Sequence, residues 1–128
     1  MLADHDSMPT LAVTDLARAR QFYEEVLGFV AQSDVADGVV YRAGSTSFLV
    51  YPSSFAGTNR ATAISFQVPS DRFDAEVQAL RDHGLSFQAF EAPGIDWLDG
   101  VASWGEGRSL WFEDPDGNIL NVETSEPA

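Results

Sequence analysis

"SLWFEDPDGNILNVE", residues Ser109 to Glu123, reads as two short strands folded back over a tight turn. Asp114-Pro115 supplies a restrained φ, and Asp116-Gly117 supplies the positive φ that a reversal needs. Side chains alternate along a strand, so Ile119, Asn121 and Glu123 point to one face and Leu120 and Val122 to the other. A polar amide thus stands in the middle of one face. Its purpose separates an enzyme from a binding protein.

Upstream of this hairpin the same order of elements occurs twice. "TLAV" (Thr10 to Val13) is a short apolar strand. A helix follows, with Leu16, Ala19, Phe22, Tyr23, Val26 and Leu27 at helical spacing, Thr14 or Asp15 as N-cap and Gly28 as stop. "FVAQSDVA", "GVVYRA" and "SFLVYP" read as three strands separated by Asp-Gly and Gly-Ser turns. A turn-rich connector spans 53–60, and then "TAISFQV" (Thr62 to Val68) begins the second copy. Its helix carries Phe73, Val77 and Leu80 on one stripe, with Ser70 or Asp71 as cap and Gly84 as stop. "LSFQAFE" and the opening hairpin complete its strands, and 92–107 is left as a long irregular segment. Leu11 matches Phe66 and Val13 matches Val68 in this internal duplication.

The expectation is one α+β domain over residues 1–128, with module one at about 8–52 and module two at 61–124. Two paired βαβββ modules would curl into a curved mixed β-sheet cleft with the helices outside. A formal net charge of −13 argues against nucleic acid, which needs Lys and Arg against phosphate. It fits either a cationic ligand drawn by electrostatic steering or acidity that only keeps the chain soluble, so it does not name a ligand. No long apolar run or leader pattern appears, so a cytoplasmic, soluble chain with no membrane partner is expected. The absence of cysteine removes thiolate metal sites and cysteine nucleophiles.

"LAVTDLARARQFYEEVLGF", followed far downstream by "GRSLWFEDPDGNILNV", resembles the vicinal oxygen chelate superfamily. This group includes glyoxalase I, extradiol dioxygenases, fosfomycin-resistance enzymes and bleomycin-resistance proteins. The resemblance runs from about Met8 to Val122 and implies the paired βαβββ fold. In metal-dependent members it implies His, Gln and Glu ligands at three positions, which here hold Met8, Ala63 and Asn121. A divalent cation prefers carboxylate, imidazole or water, so no metal or other cofactor is expected. Two alternatives stay open: a shifted register that offers Glu123, and His5 folding in beside Met8.

The resemblance to bleomycin-resistance proteins rests on the Trp104-Gly105 step before the final hairpin. It implies sequestration of an aromatic or cationic small molecule between the subunits of a homodimer. Candidate binding residues are Trp97, Trp104, Trp111, Asn121, Arg108, Tyr51, Phe48 and Glu123, with Tyr41 as a further wall residue. Stacking and cation–π contacts would serve such a ligand. Glu91, Asp96, Asp99 and Glu106 are further carboxylates, and Arg108 would pair with Glu106 or Glu123 or take an anionic group. No catalytic residue is assigned: His83 reads as a helix C-terminal cation and His5 as a terminal residue. The competing reading is a metal-dependent lyase, isomerase or dioxygenase of the same fold.

Overall fold

The computed structural model describes residues 1–90 and 92–125, in two compact units, Met1–Thr58 and Asn59–Ala128. Each is a mixed sheet with a helix inserted after its first strand.

In the first unit β1 (Thr10–Val13) leads into α1 (Leu16–Arg20), followed by β2 (Ala31–Val35), β3 (Gly38–Ala43) and β4 (Thr46–Pro52). The sheet order is β1-β4-β3-β2, with β1 parallel to β4 and the other pairs antiparallel. Of the two expected caps Asp15 is used: its carboxylate accepts the Arg18 amide at 3.1 Å. The regular helix expected beyond Arg20 gives way to a π-helical stretch, Gln21–Val26, and the chain leaves it at Gly28 with φ +82°.

Register explains this core. Tyr41 opposes Phe48, Val39 opposes Val50, and Leu11 opposes Val50 from the other side. All therefore project to the face covered by Ala19 and Tyr23. The Tyr41 and Phe48 ring centroids lie 5.5 Å apart, and Phe29 meets Phe48 edge-on at 5.1 Å. Two expected ligand-wall residues are corrected here. Phe48 is 1% exposed and Tyr41 fully buried, so both are core residues, each burial being worth roughly 1.5–3 kcal/mol. Strand alternation alone left their face undecided, and the helix chooses it. Gly38 has φ +151°, and a Cβ there would collide with the Val50 carbonyl oxygen.

The second unit repeats the plan with an addition. β5 (Thr62–Val68) is followed by a 3₁₀ turn (Ser70–Arg72) and α2 (Phe73–Asp82). Then come β6 (Asp96–Leu98), β7 (Val101–Trp104), β8 (Gly107–Glu113) and β9 (Ile119–Thr124). The order β5-β9-β8-β7-β6, with β5 parallel to β9, matches the first sheet strand for strand except for the extra β6. α2 buries Phe73 and Val77, and the sheet buries Leu110, Phe112, Leu120 and Val122 on the corresponding face. Neither Ser70 nor Asp71 caps by a side-chain hydrogen bond; the 3₁₀ turn after Pro69 starts the helix instead.

Residues 85–90 form no strand, contrary to expectation, although the Gln88 amide donates to the Trp111 carbonyl at 2.8 Å. The segment read as irregular supplies the strands instead. Leu98 pairs with Val101 across Asp99 (φ +50°) and Gly100 (φ +80°), the two positive values of a type I′ hairpin turn. Trp97 and Trp104 thus sit in strands rather than in a loop. Among the described residues no helix is long and apolar enough to cross a membrane.

Candidate functional site

The site begins with the turn that sets the register of β8 and β9. Asp114 Oδ1 accepts the amides of Asp116 and Asn118, both at 2.9 Å, and Asn118 Nδ2 donates to Asp114 Oδ2 at 2.8 Å. Gly117 takes φ +84°. With the turn held, Trp111 faces Asn121, and Ser109 faces Glu123. Next door on β5, Ser65 opposes Asn121 and Gln67 opposes Glu123.

Following the pairs outward, Ala102 opposes both Ser109 and Trp97, and Trp104 opposes Gly107. Because paired residues share a face, Trp97, Trp104, Trp111, Asn121 and Glu123 all lie on the sheet face opposite α2. Phe90 joins them from the segment before β6. Its ring meets Trp111 at 4.9 Å and Trp97 at 5.3 Å, both edge-on, while Trp97 and Trp111 stand 6.1 Å apart. Trp104 remains 40% exposed, with its indole edge against Gly107. A groove of about 830 Å³ opens beside this cluster, lined by Ala89, Phe90, Ala92, Pro93, Ile95 and Trp97.

Hydrogen bonds distinguish the tryptophans. The Trp111 indole donates to Thr62 Oγ1 at 3.2 Å, whereas the Trp97 Nε1 is buried with no partner among the described residues. Asn121 is 3% exposed, and its amide nitrogen donates to Ser109 Oγ and, at 3.0 Å, to the Leu110 carbonyl. Its carbonyl oxygen is the part of the group suited to accept from a ligand. Gln67 Nε2 donates to Glu123 Oε1 at 2.6 Å, which orients that carboxylate.

Arg108 does not join this face. It alternates to the helix side of β8, where its Nη1 donates to Asp74 Oδ1 at 2.6 Å and its guanidinium stacks over Phe73 at 4.6 Å. Its expected pairing with Glu106 or Glu123 is therefore replaced by one with α2, because strand alternation turns it to the other side of the sheet. Tyr51 lies on the helix-free face of the first sheet, beside Ala12, and is half-buried. Asp96, Asp99 and Glu106 are exposed, and Glu91 lies outside the described residues. His83 is exposed, its Nδ1 donating to the Ala79 carbonyl at 2.8 Å at the end of α2.

Met8 precedes β1 and is 44% exposed, and Ala63 occupies the irregularity between Thr62 and Ile64 in β5. Among the described residues no group of three or more His, Cys, Asp or Glu converges as a metal site would require.

Inside the first unit, a charged network ties the helical segment to the sheet. Tyr41 donates to Glu24 Oε2 at 2.9 Å, and Arg20 bridges Glu24 at 2.7 Å and Asp34 at 2.9 Å. Burial, reinforced by Glu24, raises the Tyr41 pKa. The Arg20 hydrogen bond, followed by that of Tyr41, holds the Glu24 carboxyl below its ordinary value against an opposing desolvation.

The sequence reading overlooked Ser109, Thr62 and Gln67 as partners of the site. Ser109 was within reach, since the turn residues of the hairpin set which side chain opposes which. Thr62 and Gln67 come from a strand some sixty positions upstream, and only the parallel β5–β9 pairing brings them in.

A sequence profile of the Glyoxalase/Bleomycin resistance protein/Dioxygenase superfamily matches residues 7–122. Comparison of the sequence with curated proteins gives no match. Among solved structures, the fosfomycin resistance protein FosX of Listeria monocytogenes, complexed with Mn(II) and sulfate, superposes with a TM-score of 0.69 at 17% identity. It covers 95% of this chain and 90% of that one. A glyoxalase/bleomycin resistance protein/dioxygenase of Alicyclobacillus acidocaldarius gives 0.67 at 15% identity, covering 95% and 93%. Lactoylglutathione lyase of Agrobacterium tumefaciens gives 0.67 at 16% identity, covering 94% and 93%. At these identities the likeness concerns the fold.

Proposed function

From the premise that this chain belongs to the glyoxalase/bleomycin resistance protein/dioxygenase superfamily, we propose that it binds and sequesters an aromatic or cationic small molecule without a metal ion. The observation that carries this reading is Asn121. It stands where the family resemblance would put a carboxylate ligand, and its amide is built into the sheet through Ser109 and Leu110. Met8 offers only a soft thioether and Ala63 no donor at all. This set does not suit a hard divalent cation, which wants several oxygen or imidazole ligands.

The surface around Asn121 supports the ligand class. Trp97, Trp104 and Trp111 offer ring faces and edges, Glu113 and Glu123 contribute negative charge, and Arg108 is turned to the opposite side. A flat cation gains from stacking, cation–π contact and the carboxylates together. The reading includes a homodimer acting in the cytoplasm, the first part of which sedimentation would check.

The test is a titration of purified protein with the planar aromatic cation proflavine, read by tryptophan quenching, with the probe then recovered and weighed by mass spectrometry. Saturable binding that weakens with salt and returns the probe unchanged supports sequestration. Absence of binding, chemical conversion of the probe, or stoichiometric metal retained by the protein would sink it. The second reading, a metal-dependent lyase or isomerase, draws on the Mn(II)-bound and lyase neighbours, and retained metal is its signature.

A further inference from the structure

The Trp97 indole nitrogen is the feature that the sequestration reading leaves unused. A buried N–H without an acceptor costs about 1–3 kcal/mol, and native structures rarely keep one without reason. Nε1 has no solvent contact in this arrangement, so an acceptor reaches it only when a neighbouring ring such as Phe90 moves. Trp111, beside it on the same face, shows the ordinary solution: its N–H donates to Thr62. Two indoles in one aromatic cluster thus differ, and the one without a partner among the described residues lines the groove.

The groove is open to solvent along one side, with room for a flat small molecule. Its volume of about 830 Å³ falls in the usual range for such sites. Its walls are apolar and small, Ala89, Ala92, Pro93 and Ile95, apart from the rings of Phe90 and Trp97. Phe90 is 48% exposed although it is a large apolar ring, and it is held by edge contacts to Trp97 and Trp111. A half-exposed ring of this kind can turn to admit another ring, which backbone cannot do.

We propose that this groove takes an uncharged heteroaromatic ring bearing an in-plane hydrogen-bond acceptor, a ring nitrogen or carbonyl, which receives the Trp97 N–H while stacking against Phe90. The inference rests on the reading that this unit binds an aromatic small molecule, and it adds the polarity of the ring's edge. Any cationic substituent carried outside the ring would face Glu113 and Glu123, while the acceptor on the ring selects at Trp97. The ligand on this account is a flat ring whose acceptor edge goes inward.

Three probes of one shape separate the contributions: naphthalene (no acceptor), quinoline (a ring-nitrogen acceptor) and N-methylquinolinium (a cation with that nitrogen blocked). Binding is followed by tryptophan quenching and by the indole N–H resonances of ¹⁵N-labelled protein, with the Trp97 signal assigned by its loss in Trp97→Phe. Quinoline is expected to bind at least tenfold more tightly than naphthalene and to move the Trp97 indole resonance downfield. Trp97→Phe is expected to bind quinoline no more tightly than naphthalene, whatever change the smaller ring brings to both affinities.

If quinoline and naphthalene bind the parent alike, the acceptor role is overturned while sequestration stands. If Trp97→Phe keeps the quinoline preference, the acceptor lies elsewhere and the assignment to Trp97 falls. A preference for N-methylquinolinium, with no gain for quinoline over naphthalene, leaves only the charge-based reading. If none of the three binds and proflavine also fails, both readings fall together.

Discussion

Replacing Asn121 by Asp is the sharpest test of how the candidate site is built. The amide gives two hydrogen bonds, to Ser109 Oγ and to the Leu110 carbonyl, from a side chain that is 3% exposed. Asp has the same shape and, when ionised, no hydrogen to give. Losing both bonds removes about 2 kcal/mol, and setting a buried carboxylate against the Leu110 carbonyl oxygen adds about 1–3 kcal/mol. Ser109 recovers about 1 kcal/mol by turning its hydroxyl toward the new acceptor. The expected destabilisation at pH 7 is therefore about 2–4 kcal/mol, read from urea unfolding followed by tryptophan fluorescence with the m-value unchanged.

The pH dependence has a definite sign. Burial beside a carbonyl raises the folded-state pKa of the introduced carboxyl above its unfolded value of about 3.9. The penalty is full above the folded-state pKa and fades as pH falls toward the unfolded one, where the protonated acid donates again. Asn121→Glu, assayed with Mn(II) by titration calorimetry, should bind no stoichiometric metal, since Met8 and Ala63 still contribute no hard ligand. An Asp variant as stable as its parent, joined by a Glu variant that gains tight Mn(II) binding, would refute the reasoning. It would reveal a metal site lacking only its carboxylate.

Phe48→Ala should cost about 3–5 kcal/mol in urea unfolding because Phe48 is wholly enclosed by the first unit's core, whereas Tyr51→Ala should cost less than about 1.5 kcal/mol. Asp74→Asn should change stability by no more than about 1 kcal/mol, since the Asp74–Arg108 pair is exposed. It should also leave proflavine affinity unaltered, because Arg108 lies on the helix side of its sheet; a changed affinity would place Arg108 in the site. Glu24 titrates below its ordinary value in the folded protein. Its contribution is present above the unfolded pKa of about 4.3 and lost as pH falls through the folded one. Glu24→Gln should therefore be less stable than the parent at pH 7, with the difference closing below pH ~4 in acid-unfolding curves.

The duplication, the two helices, the final hairpin and the family were legible because each depends on local information. Apolar spacing, glycine stops and the Asp-Pro-Asp-Gly turn act over a few residues. Even the β6–β7 hairpin announced itself through Asp99-Gly100, although the irregular look of its surroundings masked the signal. The positions of Met8, Ala63 and Asn121 relative to the family motifs were equally a matter of counting. The donor set that argues against a hard metal ion is therefore a property of the sequence itself.

Which face a strand residue uses is not local. Alternation divides Tyr41, Phe48 and Tyr51, or Arg108 and Trp111, into two sets without saying which set meets a helix. In the folded chain α1 and the π-helical stretch claim Tyr41 and Phe48, and α2 claims Arg108 through Asp74 and Phe73. The partners of the site are likewise decided by pairing across the chain. Parallel β5 carries Ser65 beside Asn121 and Gln67 to Glu123, and the antiparallel β8 sets Ser109 within reach of the amide. Sequence thus determined which groups are present and the period at which they recur. Tertiary structure decided which of them face one another, because burial against a helix and register across a sheet are set by contacts between residues far apart in the chain.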